Sequence, residues 1–264
     1  MLKSIFAGLT FGTLLAVNSI PVKAETPPQR IVLPKDAVPL HYDLTIRPDA
    51  AALNFTGDVV ITFTLSKDTN ALTLNAANLT FGATALDDMP VSPKVDLTQK
   101  DETVRFTLPS TLKAGTHKLS VSYAGKIEQT SRGLFTADYR NEKGPQRLLV
   151  TQFEPSDARR FLPCFDEPGM KATFKLTSIG PTGQMAISNM PVEKTEPAGP
   201  GLTRVIFQTS PKMSSYLLFY GLGDFERKSV MVDGIDIGVV TKRGDIDKAD
   251  FALEAAKKNP ALLQ

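Results

Sequence analysis

Apolar residues recur at every second position along most of this chain. A period of two restricts the fold to sheet structure, because only a strand sends successive side chains to opposite faces. Tyr42, Leu44 and Ile46 alternate with Asp43, Thr45 and Arg47, and Val59, Ile61, Phe63 and Leu65 alternate with Val60, Thr62 and Thr64. The reading extends through Leu72 and Leu74, Val104-Phe106-Leu108, Leu119-Val121-Tyr123, and residues 148–153, 174–179 and 205–208. Turn-forming clusters separate these segments, among them Pro48-Asp49, Asp87-Asp88, Lys113-Ala114-Gly115, Asn141-Glu142-Lys143-Gly144 and residues 197–201. Many short strands at such spacing predict an all-β domain, an antiparallel sandwich or a large bent sheet.

The ends of the chain differ from its middle. Lys3, the apolar residues 5–17 and the small-x-small triplet Val22-Lys23-Ala24 have the order of a secretory leader, so residues 1–24 are expected to be a signal peptide cleaved after Ala24. The apolar stretch is shorter than the roughly 20 residues a membrane helix needs. Export to the periplasm or outside the cell follows as an expectation, with residues 25–30 as a polar lead-in and no membrane span in the mature chain. Residues 247–258 carry Phe251 and residues 253–256 on a helical pattern that runs into Asn259-Pro260 and ends on Ala261-Leu262-Leu263-Gln264. That ending reads as a cut inside an element.

Composition narrows the function classes. Of 264 residues, 42% are hydrophobic and 22% charged, as in ordinary folded proteins. Setting aside Lys3 and Lys23, the 30 basic residues fall to 28, which match the 28 acidic ones. A nucleic-acid partner is not expected, since replacing phosphate counterions takes a basic excess. Cys164 is the single cysteine, so no internal disulfide forms, and a buried, inert thiol is the default reading.

Most catalytic motifs fail. His41 and His117 are the two histidines, far apart and both in strand segments, so there is no H-E-x-x-H and no Cys/His set at zinc spacing. Ser110-Thr111-Leu112-Lys113 fits S-x-x-K but lacks its S-D-N and K-T-G partners. Arg243-Gly244-Asp245 and the sequons at Asn54 and Asn78 are short enough to arise by chance.

Residues 151–168, TQFEPSDARRFLPCFDEP, are denser in unusual residues than a generic strand. Strand alternation sends Gln152 and Glu154 to one face and Phe153 to the other, and Pro155 ends the strand with Glu154 at its rim. A carboxylate and an amide side by side can hold a primary ammonium, one supplying charge and the other an acceptor oxygen. Periodicity leaves that reading open beside a plain solvated strand face. From Ser156 a short helical turn is expected, capped by Ser156 or Asp157, with Phe161, Leu162, Cys164 and Phe165 turned inward. Arg159, Arg160, Asp166 and Glu167 read better as salt bridges that brace a loop than as acid/base machinery.

This block resembles the T-Q-F-E-P-x-x-A-R-R-x-F-P-C-F-D-E-P signature of the M1 family of zinc aminopeptidases. Phe161-Leu162-Pro163 departs from the usual aromatic-before-proline order, with only a packing change expected. Three more stretches follow the family's order: Pro39-Leu40-His41-Tyr42-Asp43-Leu44, Ser188-Asn189-Met190-Pro191, and residues 211–218 followed by Gly223-Asp224-Phe225-Glu226. The resemblance implies a saddle-shaped antiparallel β domain over residues 31–244, and a linker with the first helix of a truncated catalytic domain over 245–264. It implies peptide substrates with a free amino terminus, and Gln152 and Glu154 as substrate-binding residues for that amino group. It also implies a zinc cofactor in the full-length enzyme, held by an H-E-x-x-H helix and a distant glutamate; neither these nor the family's G-x-M-E-N exopeptidase motif occurs here. The chain alone is then expected to bind no metal and to be inactive. The competing expectation is a free-standing β module that binds peptides or proteins. A carbohydrate-binding sandwich ranks last, since the chain has no Trp and five Tyr.

Overall fold

The structure is a computed structural model that describes residues 32–87, 89–95, 101–142 and 144–258. The expected leader and lead-in, and the chain end after residue 258, lie outside the described residues.

The alternating segments become strands whose inward residues are buried. Strand β1 (Ala37–Asp49) pairs with β2 (Asn54–Leu65), and β2 with β8 (Gly115–Lys126), all antiparallel. Register places Tyr42 beside Ile61, and Ile61 beside Leu119; the neighbouring row is Leu44, Val59 and Val121. All six side chains are buried. Partners directly opposite one another share a face, so each row is a continuous apolar strip. The opposite face of β2 carries exposed Thr56 and Asp58 and half-buried Val60, Thr62 and Thr64.

These three strands are the middle of an eight-stranded sheet. On one side it continues through β11 (Thr173–Pro181) and β14 (Leu202–Phe207) to β13 (Val192–Pro197). On the other, β4 (Thr80–Leu86) and β5 (Met89–Pro90) complete it. The all-β class holds, with one difference from the expected antiparallel arrangement: β1 and β11 run parallel, with Tyr42 beside Phe174. Alternation fixes the face a residue occupies but not the strand next to it. The two rings stack at 4.7 Å with planes 3° apart, extending the Tyr42 strip by one more strand.

Two smaller sheets pack on the inner face. One has the order β12 (Met185–Ser188), β15 (Tyr220–Gly223), β10 (Gly144–Gln152), β9 (Gly133–Asn141). The other has the order β3 (Thr69–Asn75), β7 (Thr103–Leu112), β6 (Ser92–Val95). Phe161 lies between the four-stranded sheet and the large one, with Phe55, Phe153 and Tyr220 ring centroids 5.7, 5.3 and 6.0 Å away. Burying an aromatic of that size contributes about 2–3 kcal/mol, so this cluster is a main reason the sheets stay together.

A separate hairpin, β16 (Phe225–Val232) and β17 (Ile235–Lys242), follows. Its turn has positive φ at both central residues, Asp233 at 50° and Gly234 at 81°, the geometry that Asp-Gly favours. The strand reading of the sequence did not include it. Helix α1 (Ala249–Lys258) starts two residues later than expected, after a 3-10 turn at Ile246–Lys248. Ala249 and Leu253 are its buried residues, one helical turn apart, whereas Phe251 points away and is 86% exposed.

Candidate functional site

Strand β10 carries the candidate residues to the end of the four-stranded sheet. Leu149, Thr151 and Phe153 are buried, while Gln152 and Glu154 between and beyond them are exposed, as alternation requires. The inward residues are firmly held. The Thr151 hydroxyl accepts the Tyr220 N–H at 2.9 Å, and Phe153 is 2% exposed against Phe161. Gln152 pairs with Gly133, the first residue of β9, and the strand ends there. Glu154 therefore stands just past the strand, at a cis peptide bond to Pro155, instead of being its last residue. The physical reason is that β9 offers no partner beyond Gly133.

Among the described residues, neither the Gln152 amide nor the Glu154 carboxylate has a hydrogen-bond or ion-pair partner. Two exposed polar groups with unused acceptors, on a backbone fixed by buried neighbours, can receive a group rich in donors. An alkylammonium, with three N–H donors and one charge, matches that set.

Behind Glu154 the chain forms the expected helical turn, a 3-10 turn at Ala158–Arg160. Asp157 precedes it, but its carboxylate makes no cap hydrogen bond, because two arginines take it. Arg160 Nε donates at 2.7 Å and Arg132 Nη2 at 3.2 Å, both to Asp157 Oδ1. Burial pushes the Asp157 carboxyl up, yet the hydrogen bonds from Arg132 and Arg160 outweigh it and hold the group below the usual carboxylate range. Arg160 also reaches Glu102 at 2.6 Å, Glu102 reaches Arg159 at 3.1 Å, and Arg159 Nε donates to Asp166 at 2.9 Å. Arg159, Arg160 and Asp166 thus brace the loop, as read from the sequence, and Asp157 joins them. The partners Glu102 and Arg132 were missed, because each lies more than 20 residues away in the chain.

The first and fourth sequence blocks meet this loop, and the third holds the end of the fourth. Tyr42 of the first block accepts the Phe165 N–H at 3.0 Å. Ser215 of the fourth donates to Asp166 Oδ1 at 2.6 Å, and Ser214 to the Pro168 carbonyl at 2.6 Å. Asn189 of the third holds residues 217–219 through two bonds, donating to the Leu217 carbonyl at 2.8 Å and accepting the Phe219 N–H at 2.7 Å. Asn75, which no motif marked, pairs with Cys164 backbone to backbone and accepts the Asp166 N–H at 3.1 Å.

The remaining singled-out residues serve structure. Phe161, Leu162, Cys164 and Phe165 are all buried. Burial pushes the Cys164 thiol well up, Asp166 adds to this and Arg159 opposes it, so the thiol is inert at neutral pH. His41 Nδ1 lies 2.7 Å from the Thr173 hydroxyl, and His117 lies between Asp87 at 2.5 Å and the Lys113 carbonyl at 2.9 Å. Lys113 of the S-x-x-K match pairs with Asp68 at 2.8 Å. Arg243 is taken by Asp224 and Glu226, and Asp245 by Lys242 and Lys248. No three His, Cys, Asp or Glu side chains group as a metal site among the described residues.

Comparison with known proteins agrees with this geometry. The family profile described as Peptidase M1 N-terminal domain matches residues 38–217. The chain is 36% identical to aminopeptidase N of Acetobacter pasteurianus over 261 residues, covering 95% of this chain and 72% of that relative. It is 38% identical to aminopeptidase M1 of Arabidopsis thaliana over 234 residues, and 32% identical to human endoplasmic reticulum aminopeptidase 1 over 271. In those two the match spans 26% and 29% of the relative's length. With its blocks joined by hydrogen bonds in one fold and a profile match across most of its strands, this chain belongs to the M1 peptidase family and carries the family's amino-terminal domain.

Proposed function

We propose that this domain is the substrate-recognition and scaffold part of an exported, zinc-dependent aminopeptidase, and that Gln152 and Glu154 receive the free amino end of a peptide. The observation that carries this reading is the pair of exposed groups, without partners among the described residues, on a backbone pinned by Thr151 and Phe153. A peptide amine brings charge to the Glu154 carboxylate and an N–H to the Gln152 amide oxygen. A neutral, acylated amino end offers neither charge nor a full set of donors, so the pair selects for free termini.

The donors of this chain do not fit the family's zinc. His41 and His117 are engaged separately, and Cys164 is a buried thiol held protonated. In this reading the metal is held by another domain of a longer polypeptide. The leader expected at residues 1–24 supports export, and amino-terminal sequencing of the mature protein should begin at Glu25.

Steady-state kinetics of the full-length enzyme test the site. Glu154→Ala should lower kcat/KM for several aminoacyl substrates by the equivalent of about 1–3 kcal/mol, the worth of a charge-assisted bond. Unchanged kcat/KM across those substrates would refute the assignment.

A further inference from the structure

We infer that Asp157 is a positioning residue for Glu154, acting through a linear network of six charged side chains that runs from Arg132 to Asp166; this rests on the amine-recognition reading above. The Asp157 N–H donates to the Phe153 carbonyl at 2.7 Å, closing a five-residue loop with Glu154 at its second position. Its carboxylate, taken by Arg160 and Arg132, ties that loop to two other parts of the chain.

Arg132 immediately precedes Gly133, the register partner of Gln152. Gly133 has φ of +60°, and a Cβ there would come within 3.0 Å of the Arg160 Cβ. The same arginines therefore border the strand beside the amide and the loop that holds the carboxylate. One network sets the spacing between the two recognition groups.

The far side of the network is anchored in the core. Glu102 bridges Arg159 and Arg160, its backbone is left-handed at φ 48°, and its carbonyl accepts the Ala76 N–H at 2.8 Å. Arg159 passes the connection to Asp166, which is 5% exposed and bonded to Ser215. Three positive and three negative groups balance, so the network adds no net charge to compete with an incoming ammonium. A brace that served the fold alone would have no need to border both residues of the pair.

The test is a double-mutant cycle on the full-length enzyme with an aminoacyl p-nitroanilide. Asp157→Asn should raise KM about tenfold with kcat within about twofold, and should add nothing further in a Glu154→Gln background. Arg132→Gln, at a side chain 55% exposed, should raise KM about threefold and carries the test if Asp157→Asn does not fold. Asp138→Asn, which removes an exposed ion pair to Arg147 outside the network, should leave KM unchanged. An equal KM rise from Asp157→Asn in both backgrounds overturns the inference, as does unchanged KM in both network variants while Glu154→Gln raises it. If Glu154→Gln itself leaves KM unchanged, the amine-recognition reading fails first.

Discussion

The Tyr42 hydroxyl accepts the backbone N–H of Phe165 at 3.0 Å, across 123 residues of sequence. Both partners are buried, and the Tyr42 ring is simultaneously stacked on Phe174. One side chain thus fixes the first strand to the loop that closes the site.

Tyr42→Phe keeps the stacked ring and removes only the acceptor. The Phe165 N–H would be left buried without a partner, at a cost of roughly 1–3 kcal/mol. Equilibrium unfolding in urea should show a lower midpoint with an unchanged slope. An unchanged midpoint would mean that the loop finds another acceptor.

Asp157 predicts a specific acid sensitivity. Its carboxyl is held below the usual range when folded, so it stabilises the fold fully above the ordinary aspartate value of about 3.9. That contribution is lost as pH falls through the depressed folded value. Thermal melts between about pH 5 and 3 should lose Tm more steeply in the wild type than in Asp157→Asn. Parallel slopes would show that the Arg132 and Arg160 contacts do not persist in solution.

Two residues of α1 separate burial from mere hydrophobicity. Phe251 is 86% exposed and Leu253 is 5% exposed. Phe251→Ser should change stability by less than about 0.5 kcal/mol. Leu253→Ala should cost about 2–5 kcal/mol, as loss of a buried leucine does, unless the helix frays first. Melting the two variants side by side checks the orientation of the helix on its hairpin.

Much of this fold was legible in sequence because alternation is a direct print of burial. Tyr42, Leu44, Val59, Ile61 and Phe63 were assignable to one face, and the exposed positions of Gln152 and Glu154 followed from the same rule. Bracing by Arg159 and Asp166 was readable too, since opposite charges lay close together between prolines. Their partners were not. Glu102 reaches the arginines from 57 and 58 residues away, and no local pattern encodes that pairing. The hairpin β16–β17 did have a signal, Asp233-Gly234, but its strands lie largely half-exposed and alternate weakly. The parallel pairing of β1 with β11 left no local trace, because a strand's own residues do not name its neighbour.

That pairing has a consequence in time. Strand β1 ends at Asp49 and its parallel neighbour begins at Thr173, so during synthesis the first strand waits for well over a hundred residues to be added. At a rate of about 5–20 residues per second this delay lasts many seconds. Until then β1 presents an open edge on its β11 side, and the phenyl ring destined to cover Tyr42 does not yet exist. In the nascent amino-terminal half that edge is therefore open to pairing with other chains.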